Sequence, residues 1–209
     1  MLFYIGIVLL LLPILFLYPT KVLHKERMPK GKAIVTSNHY SNADCFIYIS
    51  KFRRKFWFLA KAELYKNKFV TWVLKSVGTI PVNREQVSPS TFKETLNHLK
   101  KNQQIFIFPE GTRNKEGSEQ MHQVKQGIVT FASKGDAVIV PMVMYRKPKV
   151  FHKNYIIVGE PFKVEGENPA RLSKEEIALN MEKYTRVMDD LRIELDSYVD
   201  AKSKKRKGR

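Results

Sequence analysis

Cysteine and acidic residues are the two things this sequence has little of. Cys45 is its only cysteine, which excludes an intrachain disulfide and agrees with a reducing compartment. No C-x-x-C pair and no His/Cys cluster suggests a metal centre. Twenty Asp and Glu stand against 37 Lys and Arg in 209 residues, a formal net charge of +17. That imbalance selects anionic partners: a membrane surface, a phosphorylated substrate, an acidic protein or nucleic acid. Internal repeats and linkers are also missing, so one domain of ordinary size accounts for most of the chain.

Charge is absent altogether from Met1 to Thr20. As a helix rising about 1.5 Å per residue this segment reaches roughly 30 Å, the thickness of a bilayer core. Lys21, Lys25 and Arg27 follow the apolar run instead of preceding it, the reverse of a secretory signal peptide. The expectation is an uncleaved membrane-anchor helix over residues 1–20, with the rest of the chain on the cytoplasmic side of the cell membrane. Pro13 lets that helix kink or lie in one leaflet, so spanning and monotopic placements both stay open. At the other end, residues 202–209 hold six positive charges and no acid, so residues 201–209 are expected to form a basic disordered tail.

Between these ends, short apolar runs alternate with amphipathic stretches. Ala33 to Thr36, Phe56 to Ala60, Gly78 to Val82, Ile105 to Phe108, Val138 to Met144 and Tyr155 to Val158 are predicted strands. Asp44 to Phe52, Lys66 to Ser76, Ser90 to Lys100 and Val124 to Ser133 are predicted helices. The pattern predicts an α/β domain over residues 21–200, a central mixed β-sheet flanked by helices. Ile177, Met181, Tyr184, Met188, Leu191, Leu195 and Tyr198 form one apolar stripe on a long helix starting near Ser173, an N-cap candidate. Packing on the domain is the simpler use of that stripe; a dimer seam is the alternative.

Two segments carry residues suited to chemistry. Ser37-Asn38-His39-Tyr40-Ser41-Asn42-Ala43-Asp44 follows a strand and precedes a helix, so His39 falls in a turn. Asp44 can fold back on one imidazole nitrogen and leave the other to take a proton from a hydroxyl. The arrangement is a triad without its serine, which suits an acceptor substrate that brings its own hydroxyl. Phe108-Pro109-Glu110-Gly111-Thr112-Arg113 ends a second strand with an acid and a guanidinium. Arg113 offers a planar fork for phosphate oxygens, with a surface pair to Glu110 as its plainer use. Gly78 to Arg84 closes another strand with an arginine, and Lys61 follows Phe56 to Ala60, so several cations gather at strand ends.

The order N-H-x-x-x-x-D, G-x-I-P-V-x-R, F-P-E-G-T-R and V-P resembles the 1-acylglycerol-3-phosphate acyltransferases of the glycerolipid acyltransferase superfamily, over about residues 31 to 160. The resemblance implies an acyltransferase domain in which His39 is the general base and Asp44 orients it. It also implies that Arg84 and Arg113 bind the acceptor phosphate, with Glu110, Gly111 and Thr112 shaping that pocket. Lys61 matches a lysine near the phosphate or oxyanion, and Val140-Pro141 a block tied to the acyl chain or to structure. Lysophosphatidic acid is the implied acceptor and acyl-acyl-carrier protein or acyl-coenzyme A the donor, with no metal or organic cofactor. Many members have an aromatic residue where this chain has Pro81.

Other readings of the same residues stay in view. The acceptor can instead be glycerol-3-phosphate or another lysophospholipid, and a non-catalytic lipid-binding protein would keep the same cationic blocks. Cys45 neighbours Asp44, but adjacent helical positions point about 100° apart, which disfavours an acyl-enzyme on the thiol. Lys51 to Phe58 interleaves cations and aromatics, yet aromatics alternating into a strand read as core, so an anionic membrane surface, not nucleic acid, is the expected partner.

Overall fold

A computed structural model describes residues 13–83, 87–114 and 124–207. Its strands are β1 (Thr20–Leu23), β2 (Ala33–Ser37), β3 (Phe56–Lys61), β4 (Thr79–Val82), β5 (Gln104–Ile107), β6 (Val138–Met144) and β7 (Asn154–Val158). Its helices are α1 (Ala43–Phe52), α2 (Lys68–Ser76), α3 (Pro89–Lys100), α4 (Gly127–Gly135) and α5 (Lys174–Lys207). Single 3-10 turns lie at Lys25–Arg27 and Ala62–Lys66.

One seven-stranded sheet runs in the order β1-β7-β6-β2-β5-β3-β4. The five strands from β6 to β4 are mutually parallel; β7 is antiparallel to β6, and β1 parallel to β7. The expected mixed sheet is therefore present. Parallel strands are covered on both faces, which is why β2, β5 and most of β6 are apolar on successive residues. Ile34, Ile105, Ile107, Ile139 and Val143 face a cluster with Leu99 of α3, Ile128 and Phe131 of α4, and Tyr184, Met188, Leu191 and Leu195 of α5. Val35, Phe106, Val140, Met142 and Met144 face the other way, onto Ile47, Tyr48 and Phe52 of α1. The stripe on α5 thus packs on the sheet, as the simpler reading predicts.

Helix starts follow from the residues that hold them. Ser88 caps α3 through Thr91 N–H at 3.2 Å, with Pro89 in the first turn. Asn67 caps α2 by accepting from Phe69 and Val70 N–H. Ser173 and Glu176 form a reciprocal capping box: Glu176 N–H donates to Ser173 Oγ at 3.1 Å and Ser173 N–H to Glu176 Oε2 at 2.7 Å. Between α2 and β4, Gly78 adopts φ 83, and a Cβ there would sit 2.8 Å from Phe56 O, so the turn needs glycine.

The two chain ends depart from expectation. Residues 13–17 are helical, but the chain leaves the helix at Tyr18 and enters β1 at Thr20, so the apolar segment ends in the sheet. Only Thr20 of β1 falls within the expected anchor, and the strand is not legible locally because pairing with β7, far along the chain, is what makes it one. Among the described residues no helix is long and apolar enough to cross a membrane; the rest of the expected anchor lies outside the described residues. The basic tail expected to be disordered is instead helical through Lys207. Lysine and arginine are good helix formers, and positive charge is favoured at a helix C-terminus, so α5 simply continues.

Candidate active site

The carboxyl ends of β2, β3, β4, β5 and β6 share one edge of the sheet, where Ser37 pairs with Met142 and Thr36 with Ile107. His39 follows β2 at that edge and Asp44 sits in the first turn of α1. Imidazole Nδ1 of His39 lies 2.9 Å from Asp44 Oδ2. The same oxygen accepts Tyr40 N–H at 2.7 Å and Ser41 N–H at 2.9 Å, while Oδ1 accepts Ser41 Oγ–H at 2.8 Å. Asp44 is fully buried, and its charge is offset by four convergent donors. The ring of His39 stacks on Phe108 with centroids 4.0 Å apart and 18° between planes. Nδ1 is committed to the carboxylate, and no described residue hydrogen-bonds Nε2. The geometry therefore leaves one imidazole nitrogen available as a base.

The backbone of this turn is held just as closely. Glu110 Oε1 accepts His39 N–H at 3.1 Å, and Asn114 N–H donates to His39 O at 2.7 Å. Asn38 donates Nδ2–H to Met144 O at 2.9 Å and accepts Met144 N–H at 2.8 Å, stitching the turn to the end of β6. Tyr48 lies beneath, hydrogen-bonded to Ser37, with its phenol pushed well above the usual range by burial. Arg192 of α5 reaches across to donate Nη2–H to Tyr40 OH at 3.0 Å.

The F-P-E-G-T-R turn divides inward and outward. Glu110 is buried and serves the His39 backbone instead of pairing with Arg113. Gly111 takes φ 67, and a Cβ there would meet Lys125 Cε at 3.0 Å, so glycine lets the Lys125 stem cross the turn. Thr112 and Arg113 are exposed, and Arg113 Nη1–H donates to Asn42 Oδ1 at 3.1 Å, which leans the guanidinium toward the His39 turn. Lys61 ends β3 on the same edge but pairs with Glu63 at 2.6 Å, half exposed. That hydrogen bond holds the Glu63 carboxyl below the usual range. Val140 is fully buried under α1 and Pro141 O accepts Gly159 N–H at 2.8 Å, so this block builds the sheet interior. Arg84 lies outside the described residues.

His39, Asp44, Glu110 and Arg113 thus lie around one turn, while Lys61 is held by its own neighbour. Asn114, Lys125 and Arg192 join the site without a sequence signal, and Asn38 and Phe108, which lie inside the quoted motifs, take partners that the sheet order sets. Among the described residues no group of three or more His, Cys, Asp or Glu could hold a metal ion.

Comparison with known proteins identifies the family. Residues 20–145 match the family model described as Acyltransferase. A curated 1-acyl-sn-glycerol-3-phosphate acyltransferase of Bacillus subtilis is 30% identical over 184 residues, 84% of this chain and 89% of that protein. One of Borreliella burgdorferi is 34% identical over 134 residues, covering 63% of this chain and 53% of that protein. The crystal structure of the 1-acyl-sn-glycerophosphate acyltransferase PlsC from Thermotoga maritima superposes with a TM-score of 0.61, over 83% of this chain and 72% of that one at 24% identity. The chain belongs to the 1-acyl-sn-glycerol-3-phosphate acyltransferase family.

Proposed function

We propose that the protein moves a fatty acyl group from a thioester, acyl-acyl-carrier protein or acyl-coenzyme A, to the sn-2 hydroxyl of 1-acyl-glycerol-3-phosphate, forming phosphatidic acid for phospholipid biosynthesis. The observation that carries this reading is the 2.9 Å contact from His39 Nδ1 to buried Asp44, with Nε2 left for a substrate hydroxyl. His39 Nε2 takes the hydroxyl proton as the oxygen attacks the thioester carbonyl, and Asp44 stabilises the imidazolium that forms. Collapse of the tetrahedral intermediate breaks the C–S bond, and the departing sulfur takes up the proton from His39. Arg113, with Arg84, neutralises the acceptor phosphate. Glu110 acts on the His39 backbone and not on the phosphate, since two anions would repel. No step calls for a metal or organic cofactor. The enzyme works at the cell membrane, with the domain on the cytoplasmic side.

Purified, detergent-solubilised protein tests this. Each labelled thioester is offered with 1-acyl-glycerol-3-phosphate, and glycerol-3-phosphate serves as rival acceptor. Phosphatidic acid is the expected product, falling about a thousandfold in His39→Ala. Transfer to the rival alone would reassign the acceptor, and no transfer to either would sink the enzymatic reading.

A further inference from the structure

Beyond the site just described, the carboxyl edge of the sheet carries a second feature. A cavity of about 650 Å³ opens between the segment after β6, the start of β7 and the last turns of α5. Its lining includes Arg146, Lys147, Lys149, Lys153 and Lys202, with Asp200 its only acid. Among the described residues, none of Arg146, Lys147, Lys149 and Lys153 pairs with a carboxylate. Five cations held around one hollow repel each other unless an anion enters it.

The cavity is built, not a fold of loose chain. Buried Asn154 accepts Lys149 N–H at 2.9 Å and donates to Lys149 O at 3.2 Å and His152 O at 2.9 Å, fixing the loop from inside. Arg146 lies over the Tyr145 ring at 4.1 Å. Between these cations the loop displays apolar side chains: Phe151 is 65% exposed and Val150 41%. Phe151 holds φ 57, a left-handed conformation rare for a bulky residue, and in it the ring stands clear of the core.

The surroundings decide which anion fits. Phe151 N–H donates to Leu17 O at 2.7 Å and its ring meets that of Phe16 edge-on at 5.8 Å, so the loop is strapped to the end of the uncharged N-terminal segment. Apolar side chains pointing outward beside a ring of cations are the signature of a surface that sits in a bilayer interface. Because β7 and β1 run against the other strands, their starts lie at the His39 edge of the sheet. Arg192 joins the two places physically, donating to Tyr40 OH beside His39 and to Tyr145 O at the lip of the cavity.

We propose that this pocket binds the phosphate-bearing headgroups of anionic phospholipids in the bilayer, with Phe151 and Val150 seated among the acyl chains. Bound this way, the protein turns the His39 edge of its sheet toward the membrane, where an acyl-chain-bearing acceptor resides. The inference rests on the proposed membrane location, not on the transfer chemistry.

The test titrates the purified protein with phosphatidylcholine vesicles, and with vesicles in which part of that lipid is replaced by phosphatidylglycerol. A cation near an anionic surface adds about fivefold to binding, so Lys147→Gln/Lys149→Gln/Lys153→Gln should lose about a hundredfold of the gain due to phosphatidylglycerol. It should still bind phosphatidylcholine through the apolar N-terminus. Lys30→Gln/Lys100→Gln/Lys101→Gln, the same charge change at the opposite edge, should keep the gain. Equal losses in both variants, or none in the first, overturn the proposal. A phosphatidylglycerol carrying a photoreactive headgroup should label peptides within residues 145–155 or 199–203; labelling confined elsewhere overturns it too. Loss of acyl-carrier-protein binding with vesicle binding intact would make the pocket a protein dock and also defeat it. Binding is read without substrate, so a missing transfer activity would sink the acyltransferase reading and leave this one standing.

Discussion

At the amino edge of the sheet Asp136 closes α4, and at the carboxyl edge Asp44 opens α1; the two aspartates meet cations in opposite ways. Asp136 has a side chain 74% exposed and accepts from Lys32 at 3.1 Å and Lys163 at 3.2 Å. Asp44 is fully buried, accepts two backbone N–H groups, a hydroxyl and one imidazole nitrogen, and has no lysine or arginine partner among the described residues. Water screens the first, which fixes a loop and little else. The second is screened by nothing, so every donor that converges on it is held in one geometry. Arg113 and the cations after β6 stay exposed on that same edge. The carboxyl edge thus keeps Asp44 inside and these cations outside, with the exposed Lys61–Glu63 pair as its exception, while at the amino edge the acid and its lysines meet in water.

The largest effect should come from Asp44→Asn. The amide oxygen can keep the place of Oδ2 toward Tyr40 and Ser41, with its NH2 turned to Ser41 Oγ, so stability should change by about 1 kcal/mol or less. On the proposed mechanism the charge that would steady an imidazolium disappears, and kcat should fall by a factor of about 10³, read from initial rates alongside thermal unfolding. Unfolding with kcat intact in the surviving fraction would make Asp44 a helix cap only and erase the contrast with Asp136.

A smaller effect, and of another kind, is expected at the exposed cation. On the proposed role, Arg113→Ala would remove a charge-assisted contact to the acceptor phosphate, so KM for that acceptor should rise about tenfold to a hundredfold, with kcat within a few-fold. Arg113→Lys, without the planar fork, should fall between. A kcat collapse at unchanged KM would mean that Arg113 serves the His39 turn through Asn42 and not the substrate.

The share of this site legible in the sequence follows the range of the interactions. His39 and Asp44 are five residues apart in a strand-to-helix turn, so local chain geometry alone lets them meet. The parallel strands show as unbroken apolar runs because both their faces are covered. Glu110, read as part of a phosphate pocket, turns inward because the neighbouring strand β2 brings His39 N–H to it, 71 residues away. Arg192 reaches Tyr40 across 152 residues, and Asn38 reaches Met144 across 106. No spacing rule reaches that far; the sheet order does it. β1 and the end of α5 were hidden for related reasons: a short edge strand takes its identity from β7, and a run of lysines is equally compatible with solvent and with a helix end.

The smallest change belongs to the amino edge. Hydrogen bonds from Lys32 and Lys163 hold the Asp136 carboxyl below its usual range, so the charged form is favoured by folding. Such a group contributes stability above the unfolded aspartate pKa and loses it as pH falls through the lower folded value. Asp136→Asn keeps a side chain that tolerates φ 43 and should cost no more than about 0.5 kcal/mol at neutral pH. Denaturant titration should show that difference shrinking toward acid pH and with added salt, because the exposed lysines are screened. A loss comparable to that of a buried ion pair, persisting in high salt, would mean that Asp136 is as tightly enclosed as Asp44. Water access would then not be what separates the two edges, and the exposed cations at the carboxyl edge would need another reason for their openness.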